Sequence, residues 1–261
     1  MAATAPVLLE KKNHIVQITF NRPGNRNSMD GEVMPAFLEA VHQVKEDDDA
    51  RCLIVTGTGE SFCTGADFKN RPDEREDLLP HERLMHVYEP FLNVGDIKVP
   101  TIAAMNGHAI GGGFGLAMIC DIRVANRDSK YGANFVRLGL HSGMALSYML
   151  PRLIGLPRAG ELLYTGRLID GGTAEKMGLV NYVAKGDEVL LKAWELAEEI
   201  ASAAPIAVRM VKQSVYRGLT WEPRRAAEIE AHCQFRTKET HDAQEGVSAL
   251  LEKRKPVFKG S

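Results

Sequence analysis

The sequence predicts an α/β fold that is followed by a purely helical C-terminal region. Short runs rich in apolar and β-branched residues alternate with helical patterns through the first part of the chain. Strand patterns stop near residue 187, and helical patterns continue without them. Alternating strands and helices are typical of a sheet covered by helices. We therefore divide the chain into an α/β core, residues 1–186, and a helical region, residues 187–261.

Each predicted element follows from its own pattern. Alternating apolar residues indicate a strand at 14–20, and an apolar run bounded by turn residues indicates another at 51–56. A helical repeat of apolar residues predicts a helix at 31–46, which Ser28 or Asp30 can cap. The same criteria predict strands at 101–105, 122–125, 130–132 and 179–183, and helices at 81–94, 143–154, 157–165, 173–177, 188–203, 205–218, 222–236 and 243–254.

Composition excludes several classes of function. The 261 residues include 32 basic and 34 acidic side chains, and the net charge of −2 gives no sign of binding to nucleic acid or to an anionic membrane. The four cysteines are widely spaced, so neither a zinc site nor a disulfide framework is indicated. No histidine pair has metal-binding spacing, and we expect no metal. No membrane-spanning run or signal peptide is evident, so we expect a cytoplasmic protein.

The stretch 101–125 contains the most informative motif. A short apolar strand leads through a glycine triplet, residues 111–113, into an apolar helical run at 114–119. The first N–H groups of a helix lack internal partners and can hold an anion, or an oxygen that becomes anionic during a reaction. The Walker pattern is absent because no lysine follows, and the dinucleotide-binding pattern matches weakly. The alternative interpretation is a tight packing turn between strand and helix.

Seven segments together resemble the crotonase, or enoyl-CoA hydratase/isomerase, superfamily. Residues 62–69, Phe-Cys-Thr-Gly-Ala-Asp-Phe-Lys, resemble the first oxyanion loop of that family, and residues 100–121 resemble the second. The other matching segments are 18–23, 26–29, 150–155, 174–180 and 251–256. The resemblance covers essentially the whole chain. The polar, proline-bounded residues 70–80 after the first loop are predicted to form a mobile loop that could act as a lid.

The resemblance implies a spiral of ββα units, with C-terminal helices that build a homotrimer or a hexamer made of two trimers. It implies an acyl-CoA thioester substrate and no permanently bound cofactor, since coenzyme A enters as part of the substrate. By position, the backbone N–H groups of Ala66 and Gly112 would grip the thioester oxygen. The remaining residues expected to contact substrate or coenzyme A are Arg26, Asp67, Phe68, Lys69, Gly111, Gly115, Phe135, Tyr88 and Lys253.

The sequence departs from the family at the two catalytic glutamates of the hydratases. Their positions hold Gly115 and Phe135, and neither side chain can move a proton. The usual two-glutamate addition of water is therefore not expected. Related dehalogenases carry an aromatic residue at the position of Phe135 and a histidine at that of Tyr88, so Phe135 resembles the wall of a pocket for an aryl or bulky acyl group.

His141 is the candidate for the missing acid or base. It lies on a loop where the hydratases usually have an apolar residue, and histidine side chains titrate near neutral pH. Its alternative interpretation is an ordinary polar loop residue. We therefore expect an acyl-CoA enzyme of divergent chemistry, formally a lyase or isomerase in fatty acid metabolism. A non-catalytic acyl-CoA binder, or a decarboxylase or hydrolase that uses His141, are the alternatives.

Overall fold

The computed structural model of the chain describes residues 5–67 and 77–261. The predicted contact residues Phe68 and Lys69, and most of the predicted 70–80 loop, lie outside this described part. The strands are β1 (Val7–Lys12), β2 (Ile15–Phe20), β3 (Cys52–Gly57), β4 (Ser61–Cys63), β5 (Thr101–Met105), β6 (His108–Ile110), β7 (Ile122–Asn126), β8 (Lys130–Gly132), β9 (Ile169–Asp170) and β10 (Tyr182–Ala184). The helices are α1 (Val33–Glu46), α2 (Pro80–Gly95), α3 (Gly112–Ile119), α4 (Leu146–Thr165), α5 (Gly171–Met177), α6 (Glu188–Ala201), α7 (Pro205–Gly218), α8 (Pro223–Lys238) and α9 (His241–Glu252).

The ten described strands form two separate sheets. The larger sheet has the order β1-β2-β3-β5-β7-β10, and all its pairs are parallel except β1 with β2. The smaller sheet has the order β4-β6-β8-β9, with β9 antiparallel to β8. Successive strands along the chain alternate between the sheets: β3 and β4, β5 and β6, β7 and β8. Among the described elements, α2 comes next after β3 and β4, and α3 comes next after β5 and β6, which gives the repeated ββα arrangement.

Apolar side chains cover both faces of the larger sheet. On one face α1, α2 and α3 pack over the strands, and four aromatic rings meet there, with Phe20 stacked on Phe37 at 4.9 Å between ring centres and Phe91 edge-on to Phe37. On the other face, α6 packs its buried Val189 and Ala193 against the sheet. The first helix of the predicted C-terminal region thus contacts the core. The division at residue 186 remains a prediction.

The carboxylate of Asp121 joins three elements at the edge of the core. One oxygen accepts hydrogen bonds from the backbone N–H of Thr101, at 2.7 Å, and from its hydroxyl, at 3.0 Å. The same oxygen lies 2.8 Å from Lys212 on α7, and the other accepts from the Tyr216 hydroxyl. These contacts tie the segment between α3 and β7 to the start of β5 and to α7.

The predicted strands and helices are largely present, with three informative differences. The strand β1 was not predicted because its exposed charged residues hide the alternating pattern. The predicted helices at 143–154 and 157–165 form one helix, α4, which starts at Leu146 and is kinked at Gly155, where φ is +76°. The predicted strand at 179–183 starts only at Tyr182, because the Leu179 N–H instead donates to the Ala174 carbonyl and ends α5.

None of the described helices is both long enough and apolar enough to cross a membrane.

Candidate active site

Two glycine-containing loops touch each other at the start of α3. The first loop follows β4 and the second follows β6, and these strands are neighbours in the smaller sheet. A Cβ atom built on Gly65 would lie 2.9 Å from the Gly112 nitrogen, and Gly65 has a φ of +82°. Only glycine combines this backbone conformation with so close an approach. The contact therefore fixes residue 66 next to residue 112.

The Ala66 N–H group points away from Met29, the residue with which Ala66 pairs. Met29 forms a single parallel bridge with Ala66, in which the Met29 N–H donates to the Gly65 carbonyl at 2.8 Å and the Asp67 N–H donates to the Met29 carbonyl at 3.1 Å. Successive N–H groups of an extended chain face opposite sides. The Ala66 N–H consequently faces the other way, and it has no hydrogen-bond partner within the described residues.

The Gly112 N–H group stands at the start of a helix and has no hydrogen-bond partner among the residues that the structure describes. Gly112 is the first residue of α3, and the first intrahelical bond of this turn runs from the Gly115 N–H to the Gly111 carbonyl, at 3.0 Å. The first N–H groups of a helix have no carbonyl to bind inside it, and they lie at the positive end of the helix dipole. Two such donors side by side can hold an oxygen atom that gains negative charge.

Both donors belong to the wall of a cavity of about 660 Å³, a size typical of small-molecule sites. Helix α2 supplies one wall, and the short 3₁₀ helix Asn134–Leu138 with the loop after it supplies another. The side chains are mainly apolar. The lining residues outside the two glycine loops are Met29, Pro80, Arg83, Leu84, Val87, Tyr88, Asn134, Phe135, Leu138, Leu140, His141, Ser142 and Met144.

Gly115 does not reach the cavity wall, because Met144 lies over it. A Cβ atom built on Gly115 would overlap the Cβ of Met144. Met144 and Ala145 both have left-handed backbones, with φ of +56° and +54°, which is costly for residues other than glycine. Phe135 does line the cavity, and the tip of its ring lies 3.9 Å from a Cβ built on Gly111.

His141 lies at the cavity wall with a defined ring orientation. Its Nδ1 is 2.7 Å from the Ser142 carbonyl oxygen, which can only accept. In the neutral ring Nδ1 must therefore carry the proton, and Nε2 keeps a free lone pair. This arrangement is the one that a general base requires. The neighbouring Ser142 hydroxyl is buried and has no partner within the described chain.

Of the residues expected to hold coenzyme A, Asp67 and Arg26 lie at the first glycine-containing loop, and Lys253 lies apart from them. Asp67 is buried in the first glycine-containing loop, and its carboxylate accepts from the Asn25 amide at 3.2 Å. Arg26 is exposed, and its carbonyl accepts from the Thr64 hydroxyl at 3.4 Å, which places it at the rim of the first loop. Lys253 is exposed at the end of α9 and does not line this cavity. Within a single chain the structure does not bring Lys253 to the other candidates.

Some cavity residues were not identified from the sequence. Arg83, Leu84 and Val87 share one face of α2, and their spacing of three and four residues was a usable signal. Met144 gave no such signal. Its contact with Gly115 depends on the conformation of the loop before α4, which is far from Gly115 in sequence. Within 5–67 and 77–261, no three side chains of histidine, cysteine, aspartate or glutamate group closely enough to hold a metal ion.

Comparison with known proteins identifies the family. The family model described as enoyl-CoA hydratase/isomerase matches residues 10–261, and the chain belongs to that family. It is 37% identical to a putative enoyl-CoA hydratase/isomerase of Bacillus subtilis, over 96% of each chain. It is 36% identical to the (E)-benzylidenesuccinyl-CoA hydratase of Thauera aromatica, over 98% of this chain and 100% of that one.

Solved structures agree with the sequence relatives. The crystal structure of an enoyl-CoA hydratase from Bacillus anthracis matches 98% of this chain and 100% of its own, with a TM-score of 0.89 and 35% identity. A probable enoyl-CoA hydratase/isomerase from Mycobacterium abscessus matches with a TM-score of 0.88 and 30% identity, over 99% of this chain and 100% of its own. The resemblance and the α/β fold class stated from the sequence are confirmed.

Replacing Gly115 tests the packing under Met144. We expect Gly115→Ala to lower the free energy of unfolding by about 1–3 kcal/mol, because the new methyl group overpacks a buried contact. Gly115→Glu should be at least as destabilising and should gain no hydratase activity. Adding Met144→Gly should restore part of the stability, since it removes the overlapping atom and suits the left-handed backbone.

Urea unfolding measures these differences. Gly31→Ala is the matched control, because a Cβ atom there meets nothing within 4 Å. Equal stability of Gly115→Ala and the wild type would contradict the packing described for this position.

Proposed function

We propose that the protein transforms an acyl-CoA thioester by stabilising an enolate or related oxyanion with the N–H groups of Ala66 and Gly112. The observation that carries this proposal is their placement side by side, unpaired, in the wall of one cavity. Enolisation moves negative charge onto the thioester oxygen. Donors that are already oriented toward it lower the barrier, since loss of one such donor typically costs about 10²–10³ in rate. Membership of the enoyl-CoA hydratase/isomerase family supports the same chemistry.

The proton transfers would differ from those of a two-glutamate hydratase. By the family resemblance, the positions of the glutamates hold Gly115 and Phe135, and Met144 occupies the space beside Gly115. His141 is proposed as the base, because its Nδ1 is committed to the Ser142 carbonyl and its Nε2 is left to accept a proton. The aromatic wall at Phe135 favours an aryl or bulky acyl group. The (E)-benzylidenesuccinyl-CoA hydratase among the relatives is consistent with an aryl or bulky acyl group.

Mass spectrometry of reaction mixtures tests the proposed activity directly. Purified protein is incubated with enoyl-, aryl-, malonyl- and β-ketoacyl-CoA thioesters. Gain of water, loss of carbon dioxide or release of free coenzyme A each identifies a reaction class. Isomerisation, which leaves mass unchanged, is followed by chromatographic separation of the products. Binding of several thioesters with no product by either readout would favour the alternative of a non-catalytic acyl-CoA binder.

Removing one donor tests the oxyanion role. Ala66→Pro deletes the N–H group at residue 66, and we expect kcat on the best substrate to fall by about 10²–10³. The neighbouring bridge should persist, because its hydrogen bonds use the N–H groups of Met29 and Asp67. Ala66→Gly keeps the N–H group and serves as the control. Full activity in a correctly folded Ala66→Pro protein would rule out this role for Ala66.

Removing the imidazole tests the proposed base. We expect His141→Ala to lower kcat by about 10²–10⁴ with a much smaller change in substrate Kd, because general base catalysis contributes to the transition state. Single-turnover rates and equilibrium binding separate these effects. His42→Ala, a histidine exposed on α1, is the matched control. If His141→Ala turns over at the wild-type rate, another group performs the proton transfer.

We also propose that the chain assembles as a homotrimer or a hexamer. Large apolar side chains are exposed on the last three helices, and such surfaces often mark interfaces. They are Val211, Val215, Leu219, Phe235, Val247, Leu250 and Leu251. Lys253 follows this surface and would reach the coenzyme A of a neighbouring subunit. Light scattering should give three or six times the 28.7 kDa chain mass, and a monomer would contradict the assembly.

A further inference from the structure

The phenol of Tyr88 has a distinctive place in the cavity. Tyr88 lies near the middle of α2 and is half-buried. It lines the cavity together with Val87, the residue before it. Its hydroxyl lies directly against Gly143, where any Cβ atom would overlap the oxygen. Gly143 therefore leaves the space that this hydroxyl occupies. A larger residue at position 143 would force the phenol to move.

The Tyr88 hydroxyl lacks a protein partner. No hydrogen bond joins it to any residue in the described part of the chain. Tyr88 is only half-buried, and its hydroxyl is available to donate a hydrogen bond to a ligand in the cavity. The cavity walls around it are mainly apolar, and they include Phe135, Leu140 and Met144. Burial raises the pKa of Tyr88, so the group keeps its proton at neutral pH and remains a donor.

The hydroxyl is offset from the two oxyanion donors. Gly143 is followed by Met144, which packs on Gly115, and Gly115 lies three residues after Gly112 on α3. Three residues of α-helix rise by about 4.5 Å. The Tyr88 hydroxyl therefore lies beside the segment that packs on Gly115, the fourth residue of α3, whereas the Gly112 donor belongs to its first residue. An oxygen held by the Ala66 and Gly112 donors and an oxygen that meets Tyr88 would then be two different atoms of the substrate.

We propose that Tyr88 is a specificity-determining residue, which donates a hydrogen bond to an oxygen carried by the acyl chain beyond the thioester carbonyl. The preferred substrates are then oxygen-bearing acyl-CoAs, in which a keto, hydroxyl or carboxyl oxygen supplies the missing acceptor. This inference rests on the proposed acyl-CoA function and adds the class of acyl group. Arg83, the cation in the same wall, already donates from Nε to the Leu78 carbonyl at 2.9 Å.

Matched pairs of thioesters test the inference. Each pair consists of an acyl-CoA with a keto group at C3, C4 or C5 and the counterpart with a methylene at that carbon. Isothermal titration calorimetry gives Kd for the wild type, Tyr88→Phe and Tyr164→Phe. Tyr164 is the control, because it is 83% exposed and outside the cavity. In at least one pair, the wild type and Tyr164→Phe should bind the keto member about 3- to 10-fold more tightly, as expected for one hydrogen bond.

Tyr88→Phe should reduce that preference to about one while binding of the methylene member stays nearly unchanged. Gly143→Ala should weaken the preference as well, because it displaces the phenol without removing it. Equal binding of both members in every pair by the wild type overturns the inference and leaves the proposed function intact. A keto preference that persists in Tyr88→Phe also overturns it. Failure of every thioester to bind would overturn the proposed function together with this inference.

Discussion

The close approach of Gly65 to Gly112 is the constraint on which the rest of the site depends. The two residues come from loops at the ends of neighbouring strands, and no side chain fits between them. Because the parallel sheet holds both loops at one edge, it orients two N–H groups before any ligand arrives. Preorganised donors need little rearrangement when charge develops, and this is the physical advantage of placing them on backbone rather than on flexible side chains.

The larger sheet and the smaller sheet have different roles in the structure. The aromatic cluster around Phe20 and Phe37 fixes α1 and α2 on one face of the larger sheet, while α6 closes the other face. The smaller sheet carries the loops that form the cavity floor. As a result the packing core and the cavity share α2, on which Phe91 is buried in the core and Tyr88, three residues earlier, lines the cavity. Changes in core packing at α2 can therefore reach the cavity wall at Tyr88.

The sequence predicted the elements well where the pattern was local and strong. The glycine triplet and the apolar strand before it pointed to a helix-start donor at Gly112, and the family resemblance added Ala66. Local patterns could not find Met144 over Gly115, or Gly143 against Tyr88, since these contacts join residues brought together only by the folding of the loop before α4. The short strands β4 and β6 were missed for the same reason, because their stability comes from pairing across the small sheet and not from their own composition.

The overlap between positions 115 and 144 constrains how this protein could have diverged from its relatives. A glutamate at position 115 is compatible with the fold only if residue 144 has no side chain in the same space. A longer residue at 144 is tolerated only once position 115 is glycine. The two positions therefore form an epistatic pair, in which the effect of one substitution depends on the residue at the other. An exchange between glycine and glutamate at position 115 therefore has to be accompanied by a change at residue 144.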